Sequence, residues 1–307
     1  MKQIISKKER RTGSTVHLPL RRNLSAVLTA LLLLVGGLFL LASCGGNDPE
    51  DYSYSLTVTD ATISGLKNKD LTALHSPDSI DGVPVTTIGN SAFNGCTVIT
   101  SVNLPKTVTT IGNSAFSGCV SLVSVDVPDG VTKIGNYAFA NCKELKKINI
   151  PDGVTHIGNR TFYNCVNLAT ADIPGHVTEI EAEAFSNCKS LKKVTIPNYV
   201  TKIEANTFES CESLTKVEMT NSITTIAESA FKGCSSLESV EIPATVTKIS
   251  YNAFRECSKL AKVEIPSADT VVGRGAFADC PALTIYAPKG SKAEVYAREN
   301  NIKFKEM

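Results

Sequence analysis

Tryptophan is absent from this chain, aromatic residues make up 6% of it, and beyond residue 44 only His75, His156 and His176 supply imidazole. Those histidines occupy unrelated positions, and no G-x-S-x-G elbow, H-E-x-x-H pair or phosphate-cradling glycine loop occurs. No catalytic residue is assigned, the chain is read as no enzyme, and no cofactor is expected. Metal ligands of the zinc-ribbon kind are missing too, because no C-x-x-C pair exists. A basic stripe is equally lacking. The formal net charge of +1 hides an imbalance: setting aside the seven bases and one acid that precede Cys44 leaves 24 bases against 29 acids, a net of −5. A mildly acidic body offers no electrostatic footprint for nucleic acid.

Long apolar runs are confined to one place. Seven Lys and Arg between Lys2 and Arg22 precede the 19 residues Leu24 to Ala42, LSAVLTALLLLVGGLFLLA. Basic residues followed by an apolar stretch are the order of a secretory signal, although about 20 apolar residues also suffice to span a bilayer as an uncleaved helix. The run ends in Leu41-Ala-Ser-Cys44, which resembles the lipobox of bacterial lipoproteins. That resemblance implies a lipoprotein signal peptide over 1–43, lipid on Cys44, and a place on the bacterial cell envelope, at its outer surface. Two or three acyl chains hold a protein firmly, at about 0.8 kcal/mol per buried methylene. The following GGNDPED reads as an acidic flexible tether, residues 44–53.

What the chain does have is cysteine at a fixed period. Cys96, Cys119, Cys142, Cys165, Cys188, Cys211, Cys234, Cys257 and Cys280 are each 23 residues from the next. Such a period marks a repeat architecture. From one cysteine the template reads Cys-x-x-Leu-x-x-Val-x-Ile-Pro-x-x-Val-Thr-x-Ile-x-x-x-Ala-Phe-x-x. In the copy CKELKKINIPDGVTHIGNRTFYN the alternation of Ile148-Asn149-Ile150 predicts a short strand, closed by Pro151. Val154 to Ile157 predicts a second strand, and the segment through Phe162 predicts a capped helical turn that drops Phe and Cys inward. One coil cannot enclose its own apolar side chains, whereas stacked coils bury them as rows.

The template resembles the BspA-like, or treponemal-type, class of bacterial leucine-rich repeats over residues ~74–288. The resemblance implies an α/β repeat solenoid with a parallel sheet on a concave face, of the kind carried by surface proteins that adhere to host or bacterial partners. Departures are local: Ile99 replaces Leu, Ala171 replaces Val, Thr220 replaces Pro, and Asp269 occupies a Val position, so the last coil is expected to be the loosest. Two β-like runs around Thr59-Asp60 predict a β cap over residues 54–73. The solenoid proper is read as 74–288, and GSKAEVYARENNIKF predicts a helix and strand in a C-terminal cap over 289–307.

Stacked cysteines lie about 4.8 Å apart with parallel Cβ vectors, a poor geometry for bridging neighbours, and zinc needs ligands that converge rather than line up. The nine thiols are therefore read as buried structural filler. Function is left to outward side chains. Along the first strand one row runs Ser101, Ser124, Lys147, Thr170, Lys193, Lys216, Ser239, Lys262, and beside it runs Asn103, Asp126, Asn149, Asp172, Thr195, Glu218, Glu241, Glu264. The charged members Lys193, Lys216, Glu218, Glu241, Lys262 and Glu264 are the candidate partner-binding residues. Glu218, Glu241 and Glu264, taken as stacked neighbours, repel one another, which a basic partner or cation relieves. A solvated face of weak ion pairs is the competing account. The threonine column from Thr109 to Thr270 fits β propensity alone, and the column of Gly89, Gly112, Gly135 and Gly158 also admits Glu181, so no left-handed backbone is required there. The reading is a protein-binding surface module for host matrix or bacterial partners. A carbohydrate- or envelope-binding module and a passive spacer are the alternatives.

Overall fold

The structure, a computed structural model, describes residues 47–307. The signal segment and Cys44 lie outside the described residues.

Every coil repeats one plan. A three-residue strand such as Lys147–Asn149 is followed, after the proline turn, by a two-residue strand such as His156–Ile157, and these two pair in parallel with their equivalents one coil on, although the ladders are interrupted between some coils. The 23-residue register is kept throughout these pairs, for example Ile148 with Ala171 and Ile157 with Ile180. Side chains alternate as the pattern demands: in Lys147–Asn149 only Ile148 is buried. The proline carbonyl closes the turn by accepting from the valine three residues on, as Pro151 does from Val154 at 3.0 Å.

The inward rows of Leu, Ile, Val, Phe and Cys form one continuous core. Its axis is a stack of nine phenylalanines, Phe93 to Phe277, with ring centroids 5.1 to 5.7 Å apart and planes within 23° of parallel. At the ends the stack turns edge-on. Tyr52 meets Phe93 at 81° and Tyr296 meets Phe277 at 69°, so each tyrosine covers a ring face that has no further coil beside it.

The predicted helical turn is absent. Between the second strand and the cysteine the N–H groups alternate: Arg160, Phe162 and Asn164 donate to carbonyls of the next coil, while Thr161, Tyr163 and Cys165 donate back three residues. Half of these donors are thus consumed by stacking, and an α-helix, which keeps its bonds within itself, cannot form. The geometry requires positive φ at two places per coil. One row runs Gly95, Gly118, Asn141, Asn164, Asn187, Ser210, Gly233, and the other includes Ser114, Tyr137, Arg160, Glu183 and Asn206. The first is rich in Gly and Asn because those residues tolerate the left-handed region.

The Gly112, Gly135 and Gly158 column has a different cause. A Cβ on Gly135 would sit 2.4 Å from Asn113 Oδ1, the oxygen that accepts from Asn136 N at 2.9 Å. Glycine leaves room for this ladder of asparagine side chains, which links Asn90, Asn113, Asn136 and Asn159.

The segment read as a tether is ordered from Asn47 onward. Pro49–Asp51 forms a 3-10 turn, Tyr52 is buried, and its hydroxyl donates to Asn47 Oδ1 at 2.8 Å. Tyr52–Leu56 and Ala61–Leu66 make an antiparallel hairpin, and the latter pairs in parallel with Val83–Ile88. At the other end Ser291 caps the helix Lys292–Glu299, its hydroxyl accepting from Glu294 N, and Lys303–Glu306 adds a parallel strand beside Thr284–Ala287. Near this end Asp269 faces solvent and Thr270 takes the interior place instead, donating to the Val246 carbonyl at 2.7 Å. Burying a carboxylate without a partner costs more than displacing the chain by one residue.

Candidate binding surface

All nine repeat cysteines are free and buried along the interior. They are more than filler. From Cys119 onward each Sγ–H donates to the carbonyl of the phenylalanine 26 residues earlier, at 3.1 to 3.3 Å. That carbonyl already accepts from the cysteine N–H of its own coil, as Phe93 does from Cys96, so the thiol uses the second lone pair and ties neighbouring coils. Burial pushes the Cys119 and Cys165 thiols up to about 12, with Cys142 and Cys188 also raised well above the ordinary value. Because the thiolate is the nucleophile, these sulfurs are unreactive at neutral pH. A small alkylating reagent is expected to leave the seven fully buried thiols from Cys119 to Cys257 unmodified in the folded chain and to label all nine repeat thiols after denaturation without reductant. Fewer than nine labels would reveal bridges.

The charged rows lie side by side on the exposed face of the first strands. Lys193 is the register partner of Lys216, Thr195 of Glu218, Ser239 of Lys262 and Glu241 of Glu264. The three carboxylates are not left to repel one another. No ladder joins Lys216–Glu218 to Ser239–Glu241, and Glu241 lies near enough to attract both Lys216 and Lys262. Cations also neutralise two of the three acids. Glu218 accepts from Lys216 at 2.7 Å, Lys193 at 2.9 Å and the Thr195 hydroxyl at 2.7 Å, and these donors hold its carboxyl down at about 2. Lys262 reaches Glu264 at 2.5 Å and lies over the Tyr286 ring. Glu241 stands between these pairs with Ser239, not lysine, two residues before it. The face is a mosaic of exposed ion pairs, which solvent screens and which add little to stability.

The first-strand column is also interrupted between Thr170–Asp172 and Lys193–Thr195. Ala171 stands where other coils carry a valine or isoleucine, so its smaller side chain fills less of the space at this junction. A cleft of about 340 Å³ opens there, lined by Thr170, Ala171, Asp172, Ile173, Lys193 and Thr195. It is bounded by one acid, Asp172, and two bases, Lys192 and Lys193, and contains no aromatic ring. The threonine column donates to backbone, as Thr178 does to the Thr155 carbonyl at 3.1 Å, and so serves the stack.

Sequence reasoning missed one assembly. His156 on one second strand and Glu179 on the next are register partners, and Glu181 follows two residues later. Imidazole Nδ1 lies 3.3 Å from Glu179 Oε2 and Nε2 lies 3.1 Å from Glu181 Oε1. Alignment on the repeat would have found the pairing, because positions 14 after successive cysteines are adjacent once the coils stack.

Short parallel strands stacked around rows of Leu, Ile, Val, Phe and Cys, with charged rows outside, define a leucine-rich-repeat solenoid, a fold suited to protein binding. The chain belongs to the BspA type leucine rich repeat family, whose sequence model matches residues 66–192 and 156–284 in six copies. It is similar to a leucine-rich repeat protein of T. pallidum, with 31% identity, a TM-score of 0.59, and coverage of 63% of this chain and 91% of that one. A leucine-rich cell surface protein of Faecalibacterium prausnitzii A2-165 matches at 26% identity and a TM-score of 0.39, over 83% of this chain and 97% of that one. No curated protein matches the chain. Among the described residues no helix is long and apolar enough to cross a membrane.

Proposed function

We propose that this chain is a lipid-anchored protein of the bacterial outer surface that binds a protein partner, on host matrix or on neighbouring bacteria, along its first-strand face. The anchor rests on the lipobox-like Leu41-Ala-Ser-Cys44 at the end of the apolar run. The binding face rests on one observation: Lys193, Lys216, Glu218, Lys262 and Glu264 form a fixed pattern of charges on short strands. Charges held in register by a rigid scaffold are preorganised, and complementary patterns steer encounter and select partners more than they add raw affinity. The cleft at Ala171 lacks the aromatic platform on which sugars stack, so the carbohydrate reading gains no support from it.

Two measurements test the proposal. Mass spectrometry of the mature chain is expected to show an N-terminal diacylglycerol-modified Cys44, and Cys44→Ala to leave the protein unanchored. Surface-immobilised protein is expected to bind a matrix or envelope component saturably, with weaker binding at higher salt. Replacing Lys193, Lys216 and Lys262 together by Glu should lower that affinity by about an order of magnitude or more, mainly through slower association. Unchanged affinity would remove this face, and no saturable ligand at all would leave only a spacer.

A further inference from the structure

We propose that His156, Glu179 and Glu181 form a binding site for a divalent transition cation of the zinc class. Each residue offers one ligand atom, and the three atoms lie within 4.8 Å of one another. Zinc ligands stand about 2.0–2.2 Å from the metal and so about 3.3 Å from one another; because one ion takes only one imidazole nitrogen, binding requires Glu179 to leave Nδ1 and close on the Nε2 side where Glu181 already stands. One imidazole nitrogen with two carboxylate oxygens selects zinc-like ions over calcium or magnesium, which prefer oxygen alone.

The surroundings favour a bound cation. Lys202, the next residue of the same column, is turned to Glu204 at 2.7 Å, and Arg160 is committed to Glu183 through two 2.7 Å bonds. Neither of these cations therefore serves Glu179 or Glu181. Glu181 is also held in place: its Oε2 accepts from Asn159 N at 2.6 Å, while Asn159 Nδ2 donates to the Ala182 carbonyl at 2.9 Å. A carboxylate fixed through one oxygen presents the other, and such outer contacts orient ligands in metal sites. The sequence departs from its own repeat here. Position 14 after the cysteine is histidine only in this coil, and the glycine of Gly112, Gly135 and Gly158 gives way to Glu181 one coil later. The asparagine ladder reaches Asn159, where the Glu181 carboxylate joins Asn136 as an acceptor. All three side chains are part-exposed, at 42%, 57% and 32%, so solvent can fill the remaining coordination position.

Titration calorimetry with zinc chloride tests this on the full chain in detergent, treated first with a chelator and carrying Cys44→Ser so that no exposed thiol competes. One equivalent is expected to bind. Glu179→Gln and His156→Gln should each weaken it at least tenfold, with circular dichroism unchanged. X-ray absorption at the zinc edge on the chain with its three ligands intact serves if a variant misfolds. A shell of nitrogen and oxygen with one imidazole supports the site. A sulfur shell, absent binding, or affinity untouched by both substitutions overturns it.

Discussion

Phe185→Ala is expected to lower the stability of the folded chain by about 3–5 kcal/mol, read from the midpoint of denaturant unfolding. Phe185 is fully buried and stacks on Phe162 at 5.2 Å and on Phe208 at 5.6 Å. Removing the ring deletes its burial, two aromatic contacts of about 0.5–1.5 kcal/mol each, and the filling of a space that its neighbours cannot collapse into. The position matters as much as the chemistry. In a solenoid each coil is stabilised only by its neighbours, so a cavity at the centre weakens the coupling between the two halves. Phe185→Leu, which refills much of the volume, should recover most of the loss. A cost below about 1 kcal/mol for the alanine variant would mean that the ring stack is not what holds adjacent coils together.

Asn187→Val should cost about 1–3 kcal/mol, whereas Asn187→Gly should stay within a few tenths. Asn187 has φ of +60°, and its N–H donates to the Glu209 carbonyl of the next coil at 2.8 Å. A β-branched side chain disfavours that backbone strongly. Relaxing the strain means rotating the peptide, which breaks the inter-coil bond. Glycine keeps both. Because neither substitution removes a buried apolar side chain, the contrast isolates backbone conformation from packing. Equal stability of the two variants in thermal unfolding would show that the left-handed geometry is not required.

Family membership accounts for the scaffold, and the differences among coils are where individuality lies. The coils from Cys142 to Cys188 carry the His156 cluster, the Arg160–Glu183 pair and the guanidinium of Arg160 within 5.6 Å of the Tyr137 and Tyr163 ring centres. The ion-pair face instead runs onward from Lys193. Two surfaces, on different strands of the coil, are thus available on one solenoid.

Much of the architecture was legible because a strict period makes each residue type report its own environment many times. Nine recurrences of Phe and Cys in register admit only an interior row, and the alternation around Ile148 admits only a strand with one buried face. The helical turn was misread for a physical reason. A Gly-Asn followed by Ala-Phe suits a helix start locally, and nothing local reveals that alternate N–H groups are claimed by the coil above. The glycine column of Gly112, Gly135 and Gly158 requires no left-handed backbone, as its sequence variation indicates, but nothing in the sequence marks the row through Ser114 and Tyr137 that does. The left-handed residues include Tyr137, Arg160 and Glu183, whose identities do not advertise that backbone, while the glycines answer to the asparagine ladder.

By itself, then, the order of residues determined the period, the inward rows, the strand positions and the buried state of the thiols, since each follows from hydrophobic patterning within one repeat. Only the stacked structure decided which groups meet across coils: the thiol on a carbonyl 26 residues back, the lysines that discharge Glu218, the opening beside Ala171, and His156 between two carboxylates. Those contacts depend on register, ladder breaks and side-chain reach between segments about 23 residues apart, distances at which chain connectivity imposes no geometry until the coils close upon one another.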